Sequence, residues 1–229
     1  MQLFYSKDIA STLFLNKEES KHCSQVLRKK KNDVIFITDG NGFLYECEIQ
    51  KIKTEKVDIK IIKSHQELRK KKFELAISFP KQRNRVEWII EKATEIGVDI
   101  ITPIICEKSE RTKINIDRIK KIATSSMKQS LRTFKPEISE MIDFSKFVKT
   151  NKFKHKFIAH CKEDPEKKTI KKLKYNNACI VIGPEGDFSK KEIKMANDAN
   201  FLSVSLSKNR LRTDTAAIVA CYTLISENE

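Results

Sequence analysis

Near residue 70 the hydrophobic period of this chain changes. Ahead of that point, residues 34–38, 43–52 and 57–62 alternate apolar with polar side chains, as half-buried antiparallel strands do. Thr38-Asp-Gly-Asn-Gly42 joins the first two as a hairpin turn, because Asp, Asn and Gly tolerate positive φ. Residues 2–5 read as a short strand. Residues 20–30 read as a helix with Val26 and Leu27 turned inward. This part is a small β-barrel or curled sheet with little helix.

Arg69-Lys-Lys-Lys72 then forms a charged joint, beyond which strands alternate with helices. Residues 73–79, 99–106, 156–160, 177–182 and 201–206 read as strands. Residues 85–96, 117–130, 143–149, 166–173 and 213–225 read as helices, with a further helix opened by the capping box Ser189-Lys-Lys-Glu192. That alternation is the signature of an α/β domain with a largely parallel sheet. In the helix over 85–96, Val86, Ile89, Ile90, Ala93 and Ile96 share one face and Gly97 supplies the stop. Trp88, between Val86 and Ile89, reads as core. In the next helix Ile119, Ile122, Ala123 and Met127 point inward. The expected division is a β domain over residues 1–70 and an α/β domain over residues 73–229.

Composition narrows the function. The chain of 229 residues carries a formal net charge of +15, which favours a polyanionic partner because neutralising phosphates releases condensed counterions. No apolar stretch is long enough to span a bilayer, and the first residues lack the basic start and apolar run of a signal peptide, so a cytoplasmic protein without a membrane partner is expected. Six cysteines are scattered with no Cys-x-x-Cys pair; they read as reduced, mostly buried thiols, and no metal is assigned.

Two segments carry chemistry. In Ile182-Gly-Pro-Glu-Gly-Asp-Phe188 a continuous apolar strand runs into a loop with two of the chain's five glycines. Loops beyond the carboxyl ends of parallel strands are where open α/β sheets bind ligands, and glycine lets backbone amides approach a ligand closely. Neither a Gly-x-Gly-x-x-Gly nor a Walker sequence is present. In Leu206-Ser-Lys-Asn-Arg-Leu-Arg-Thr-Asp-Thr-Ala-Ala217 a second strand end leads through a basic loop into a helix, with Thr213 placed as an N-cap and Asp214 complementing the helix dipole.

Together these segments resemble the RsmE family of 16S ribosomal RNA uridine N3-methyltransferases, in the SPOUT (α/β-knot) superfamily, where a Gly-Pro-Glu-Gly loop faces a Leu-Arg-Thr-Glu-Thr-Ala segment. The resemblance covers nearly the whole chain. His22-Cys-Ser-Gln-Val-Leu-Arg28, Glu91-Lys-Ala-Thr-Glu-Ile-Gly-Val98, Ser109-Glu-Arg111 and Gln129-Ser-Leu-Arg132 with Pro136 match the family's pattern in order and spacing. The chain departs at Ser207, where a glycine is usual, at Arg210, where an aliphatic residue is usual, and at Asp187 and Asp214.

The resemblance implies a PUA-like N-terminal β-barrel followed by a SPOUT α/β domain with a deep trefoil knot, acting as a homodimer on 16S rRNA or the small ribosomal subunit. It implies S-adenosylmethionine as cofactor, held by His160, Ile182, Gly183, Pro184, Glu185, Gly186, Leu206, Ser207, Leu211, Arg212, Thr213, Thr215 and Ala216. Arg212 is the catalytic candidate: a guanidinium stays protonated, so it cannot be a base, but it can stabilise a developing uracil anion. Arg28, Lys29, Lys30, Lys31, Lys81, Arg83, Arg85, Arg111 and Arg132 are the expected RNA contacts. The rival readings are a SPOUT methyltransferase acting on tRNA or 23S rRNA, and a non-catalytic RNA-binding factor of ribosome assembly.

Overall fold

The computed structural model describes residues 2–69, 71–165, 167–170 and 175–226. They fall into two compact units, Met1–Arg69 with Thr124–Lys135, and Lys70–Ala123 with Pro136–Glu229. No single cut separates them, because the segment 124–135 groups with the N-terminal residues.

The first unit is built on a five-stranded sheet. Its elements are β1 (Leu3–Tyr5), α1 (Ile9–Thr12), β2 (Phe14–Leu15), α2 (Lys17–Lys21), β3 (Val34–Thr38), β4 (Phe43–Lys53) and β5 (Lys56–Gln66), in sheet order β1-β3-β4-β5-β2. Pairing is antiparallel except for the parallel β1 and β3. The alternation seen in the sequence becomes a core of Phe4, Ile35, Ile37, Cys47, Ile49 and Val57. Gly40 and Gly42 take φ of 77° and 100° in the hairpin turn, as the Asp-Gly-Asn-Gly sequence demands. The expected helix over 20–30 is corrected. α2 ends at Lys21, a π-helical turn covers His22–Val26, and Leu27 N donates to His22 O at 3.0 Å. The wider turn shifts the helical register, leaving Val26 66% exposed while Leu27 packs on the core.

The second unit comprises β6 (Lys72–Ile77), α3 (Arg83–Ile96), β7 (Ile100–Ile105), α4 (Ile116–Gln129), β8 (Glu137–Ile138), β9 (Ile142–Asp143), α5 (Phe144–Thr150), β10 (His155–Ala159), β11 (Lys168–Thr169), β12 (Asn177–Ile182), α6 (Lys190–Asp198), β13 (Leu202–Ser205) and α7 (Thr213–Ser226). α4 alone crosses between the groupings, its residues from Thr124 onward belonging to the first. The sheet order is β11-β13-β10-β12-β6-β7-β8, with β9 also on β7, and every pairing is parallel. Helices cover both faces. Val86, Ile89 and Ile90 of α3, Ile119 and Ala123 of α4, and Ala217, Ala220 and Leu224 of α7 fill one side. Phe144, Phe147 and Val148 of α5 and Ala196 of α6 fill the other. The central strands are therefore buried on both faces, which is why residues 178–182 of β12 are apolar without alternation.

Trp88 corrects another expectation: it is 42% exposed. It directly precedes the buried Ile89 and Ile90, and the apolar stripe of α3 is already complete without it. The expected helix over 166–173 falls partly on residues outside those described, as does Lys70 of the charged joint. Within it, Lys168–Thr169 form the edge strand β11.

Candidate cofactor cleft

β13, β10 and β12 lie side by side, so the loops leaving their carboxyl ends converge. They enclose a cleft of about 1190 Å³. The structure brings together there His160, Ile182, Gly183, Pro184, Glu185, Leu206, Ser207, Leu211, Arg212, Thr213 and Ala216 of the residues expected to hold a cofactor. Gly186 and Thr215 do not line it. Gly186 O accepts from Lys108 Nζ at 2.8 Å, and Thr215 is exposed on the first turn of α7. Cys161, Lys162, Asp164 and Lys167, in the loop after β10 that His160 opens, also line the cleft, and of that loop the sequence reading named only His160.

The 183–188 loop is a tight turn. Asp187 N donates to Pro184 O at 2.9 Å, and Asp187 takes φ 59°. That left-handed backbone favours glycine, and Asp is among the few other residues that tolerate it. Its Oδ2 also accepts from Cys161 N at 3.0 Å, tying this loop to the one after β10. Gly183 is needed for a different reason from close ligand approach. A Cβ added there would meet Phe188 ring atoms at 2.8, 3.0 and 3.1 Å, and that ring is fully buried. Ser207 is absent from the positive-φ residues, so the replacement of glycine there costs no strain.

His160 sits in the wall with its side chain 1% exposed, and neither ring nitrogen has a hydrogen-bond partner among the described residues. Burial pushes its pKa below the ordinary imidazole value, and the Lys167 ammonium pushes the same way, against the pull of Asp187 and Asp164. It is therefore neutral near pH 7. Lys167 Nζ donates to the His160 carbonyl at 3.0 Å, fixing the loop over it.

Of the residues expected to contact RNA, Arg85 lines the cleft and is held by carboxylates. Its Nε donates to Asp214 Oδ2 at 2.8 Å, and its Nη1 pairs with Glu185. Arg111 Nε donates to Pro80 O at 3.0 Å and a second nitrogen to Lys81 O. Arg83 pairs with Glu87 at 2.6 Å and Lys81 with Glu110 at 3.8 Å. In the first unit Arg28 is exposed at φ 53°, Lys30 and Lys31 are exposed, and Lys29 and Arg132 are half-buried. Arg212 is exposed at the cleft wall.

The cleft suits a nucleoside bearing a charged tail: Ile182, Leu206, Leu211 and Ala216 offer apolar surface beside polar loop backbone. A doubly covered parallel sheet with a cleft at its carboxyl edge defines a ligand-binding α/β domain, here carried with a small β-rich unit. The chain belongs to the RNA methyltransferase domain family, whose match covers residues 66–225. Residues 15–62 match the RNA methyltransferase PUA domain.

Among solved structures, a probable rRNA-methyltransferase from Porphyromonas gingivalis is 33% identical, with a TM-score of 0.88 over 99% of both chains. A putative methyltransferase from Legionella pneumophila, solved with the cofactor SAM bound, is 26% identical, with a TM-score of 0.85 over 100% of this chain and 98% of that one. The ribosomal RNA small subunit methyltransferase E of Bacillus subtilis is 26% identical, over 96% of this chain and 92% of its own length.

Proposed function

We propose that this protein is an S-adenosylmethionine-dependent methyltransferase that modifies N3 of a uridine in 16S rRNA of the small subunit. The observation that carries the reading is the convergence of three strand-end loops on one cleft, in a chain similar over nearly its whole length to a SAM-bound methyltransferase and to small-subunit rRNA methyltransferases. The bound cofactor supplies an electrophilic methyl group.

The protein's own part is mainly placement, which can be worth roughly 7–11 kcal/mol. Residues 182–185 and 206–213, with Ala216, hold the cofactor. His160 gives a neutral wall that does not add to the positive charge of a sulfonium. Arg212, a cation at the cleft wall, stabilises negative charge developing on the base. Arg28 to Lys31 on the β unit grip phosphates. The reading includes a trefoil knot, a PUA-like barrel and work on ribosomes in the cytoplasm.

It also includes a homodimer. α7 is apolar almost all round, and its outer side leaves Tyr222 63% exposed, while Trp88 is exposed on the neighbouring α3. Calorimetry tests the cofactor assignment: S-adenosylmethionine should bind at one site per chain, and absence of binding would favour a non-catalytic RNA-binding factor.

A further inference from the structure

Arg83, Arg85 and Arg111 are committed to protein partners, while Arg210 and Arg212 face the cleft itself, so cations for the RNA backbone beyond the cleft are sought on the rest of the unit. One face of the α/β unit supplies them. α5 and α6 pack together over the sheet, turning Phe144, Phe147, Val148 and Ala196 inward. Outward they present Lys146 and Lys149 from α5 and Lys190, Lys191 and Lys194 from α6, all exposed, and Lys152 and Lys154 follow α5 directly. None of these lysines forms an ion pair among the described residues, in contrast to Lys81, Arg83, Arg85, Lys92 and Arg118 of the same unit. The acids nearby are few. Asp198 and Asp143 are exposed, while Glu192 is buried and its oxygens accept from the Glu107 and Ser189 amides.

Three of these lysines border one shallow groove: about 420 Å³, lined by Lys149, Lys191 and Lys194, with Met195 and Ala199 giving an apolar surface and Asp198 at one end. It follows α6, about 13 Å long at the usual rise per residue. α6 begins three residues after Asp187, at the sheet edge where the cofactor loops lie. A chain of phosphates leaving the cleft would meet Lys190 and Lys191 first.

We propose that the α5–α6 groove binds the phosphate backbone of the RNA substrate, with Lys149, Lys191 and Lys194 as its cations. The inference rests on the methyltransferase reading above. Lysine ammoniums act as point charges without base-edge selectivity, so the groove supplies affinity and orientation, not choice of nucleotide. Each phosphate neutralised releases counterions and adds about 0.7–0.9 to the salt slope of binding.

The test compares the full-length protein with the triple variant K149Q/K191Q/K194Q, using transcribed small-subunit rRNA in fluorescence anisotropy at several salt concentrations. The slope of log K against log salt should shrink by about 2–3. The KM for RNA should rise at least tenfold, while cofactor affinity and kcat at saturating RNA stay unchanged. An unchanged slope and KM would overturn the inference and leave the methyltransferase reading standing. A wild-type protein that bound neither RNA nor S-adenosylmethionine would instead remove that reading. Unaltered RNA binding with lost binding to phosphatidylserine vesicles would reassign the groove to a membrane surface and also overturn it.

Discussion

Arg85 on α3 and Asp214 on α7 form a two-toothed ion pair, with Nε to Oδ2 at 2.8 Å and Nη2 to Oδ1 at 3.1 Å. Both side chains are largely buried, 16% and 18% exposed, and Arg85 also pairs with Glu185. One guanidinium thus fastens the 183–188 loop to the start of α7. The short Asp214 side chain serves as partner to this arginine and does more than complement a helix dipole.

Replacing Arg85 with Ala should therefore loosen both cofactor loops. Stability should fall by about 2 kcal/mol, because carboxylates in a partly buried site lose their cation. Tm should drop by about 4–8 °C. Affinity for S-adenosylmethionine should weaken at least tenfold in calorimetry, with Arg85→Lys recovering part of it. Unchanged affinity in Arg85→Ala would show that the loops hold their positions unaided. The pair also depresses the Asp214 pKa below 3.8. Its contribution is present above that value and is lost as pH falls through the lower folded pKa.

His160 gives a second pH dependence at milder acidity. Its folded pKa lies below the ordinary 6.5, so the unfolded chain binds the proton more readily. Stability should be complete above pH 6.5 and decline as pH falls below it toward the folded pKa. Thermal melts across this range should show that slope in the wild type and a shallower one in His160→Gln. Equal slopes in the two proteins would remove His160 as the source.

Gly183→Ala should destabilise by about 1–3 kcal/mol, since the new methyl meets the buried Phe188 ring with no open space to enter. The double variant Gly183→Ala/Phe188→Leu should recover cofactor binding in part. A stable Gly183→Ala protein with normal binding would contradict the packing argument.

If α7 and Trp88 lie in a dimer interface, Trp88→Glu together with Tyr222→Glu should convert a dimer to a monomer in sedimentation without unfolding it, because both side chains are exposed in the single chain. A wild-type monomer at micromolar concentration would refute the interface outright.

The sheet and its helices were legible because local signals agreed with burial. Residues 177–182 are continuously apolar because helices cover both faces, and Ser189 to Glu192 cap α6 with the expected reciprocal bonds. The π-turn at His22–Val26 was not legible, because the same residues satisfy an α-helical pattern until one extra residue enters the turn. Trp88 misled because the helical stripe gives a face and not its edges. The roles of Arg85 and of the lysine groove were hidden for a topological reason. Arg85 meets a partner 129 positions away, and Lys149 meets Lys191 and Lys194 only after the sheet has brought α5 beside α6. Of the three cleft walls, the one after β10 carried no motif of its own, so only His160 was read from it.

Arg212 separates catalysis from binding. Arg212→Ala should lose methyl transfer by at least a hundredfold, in line with the loss of one charge-stabilising donor, while calorimetric affinity for S-adenosylmethionine falls far less, because the remaining residues of the three loops still hold the cofactor. Retained turnover would remove Arg212 from the catalytic residues.

Nucleoside mass spectrometry of 16S rRNA from cells with and without the gene reads the modification itself. 3-Methyluridine should disappear from the rRNA of the deletion strain and return when the wild-type gene, but not the Arg212→Ala variant, is restored. Undiminished 3-methyluridine in the deletion strain would rule out this protein as the uridine N3-methyltransferase of 16S rRNA.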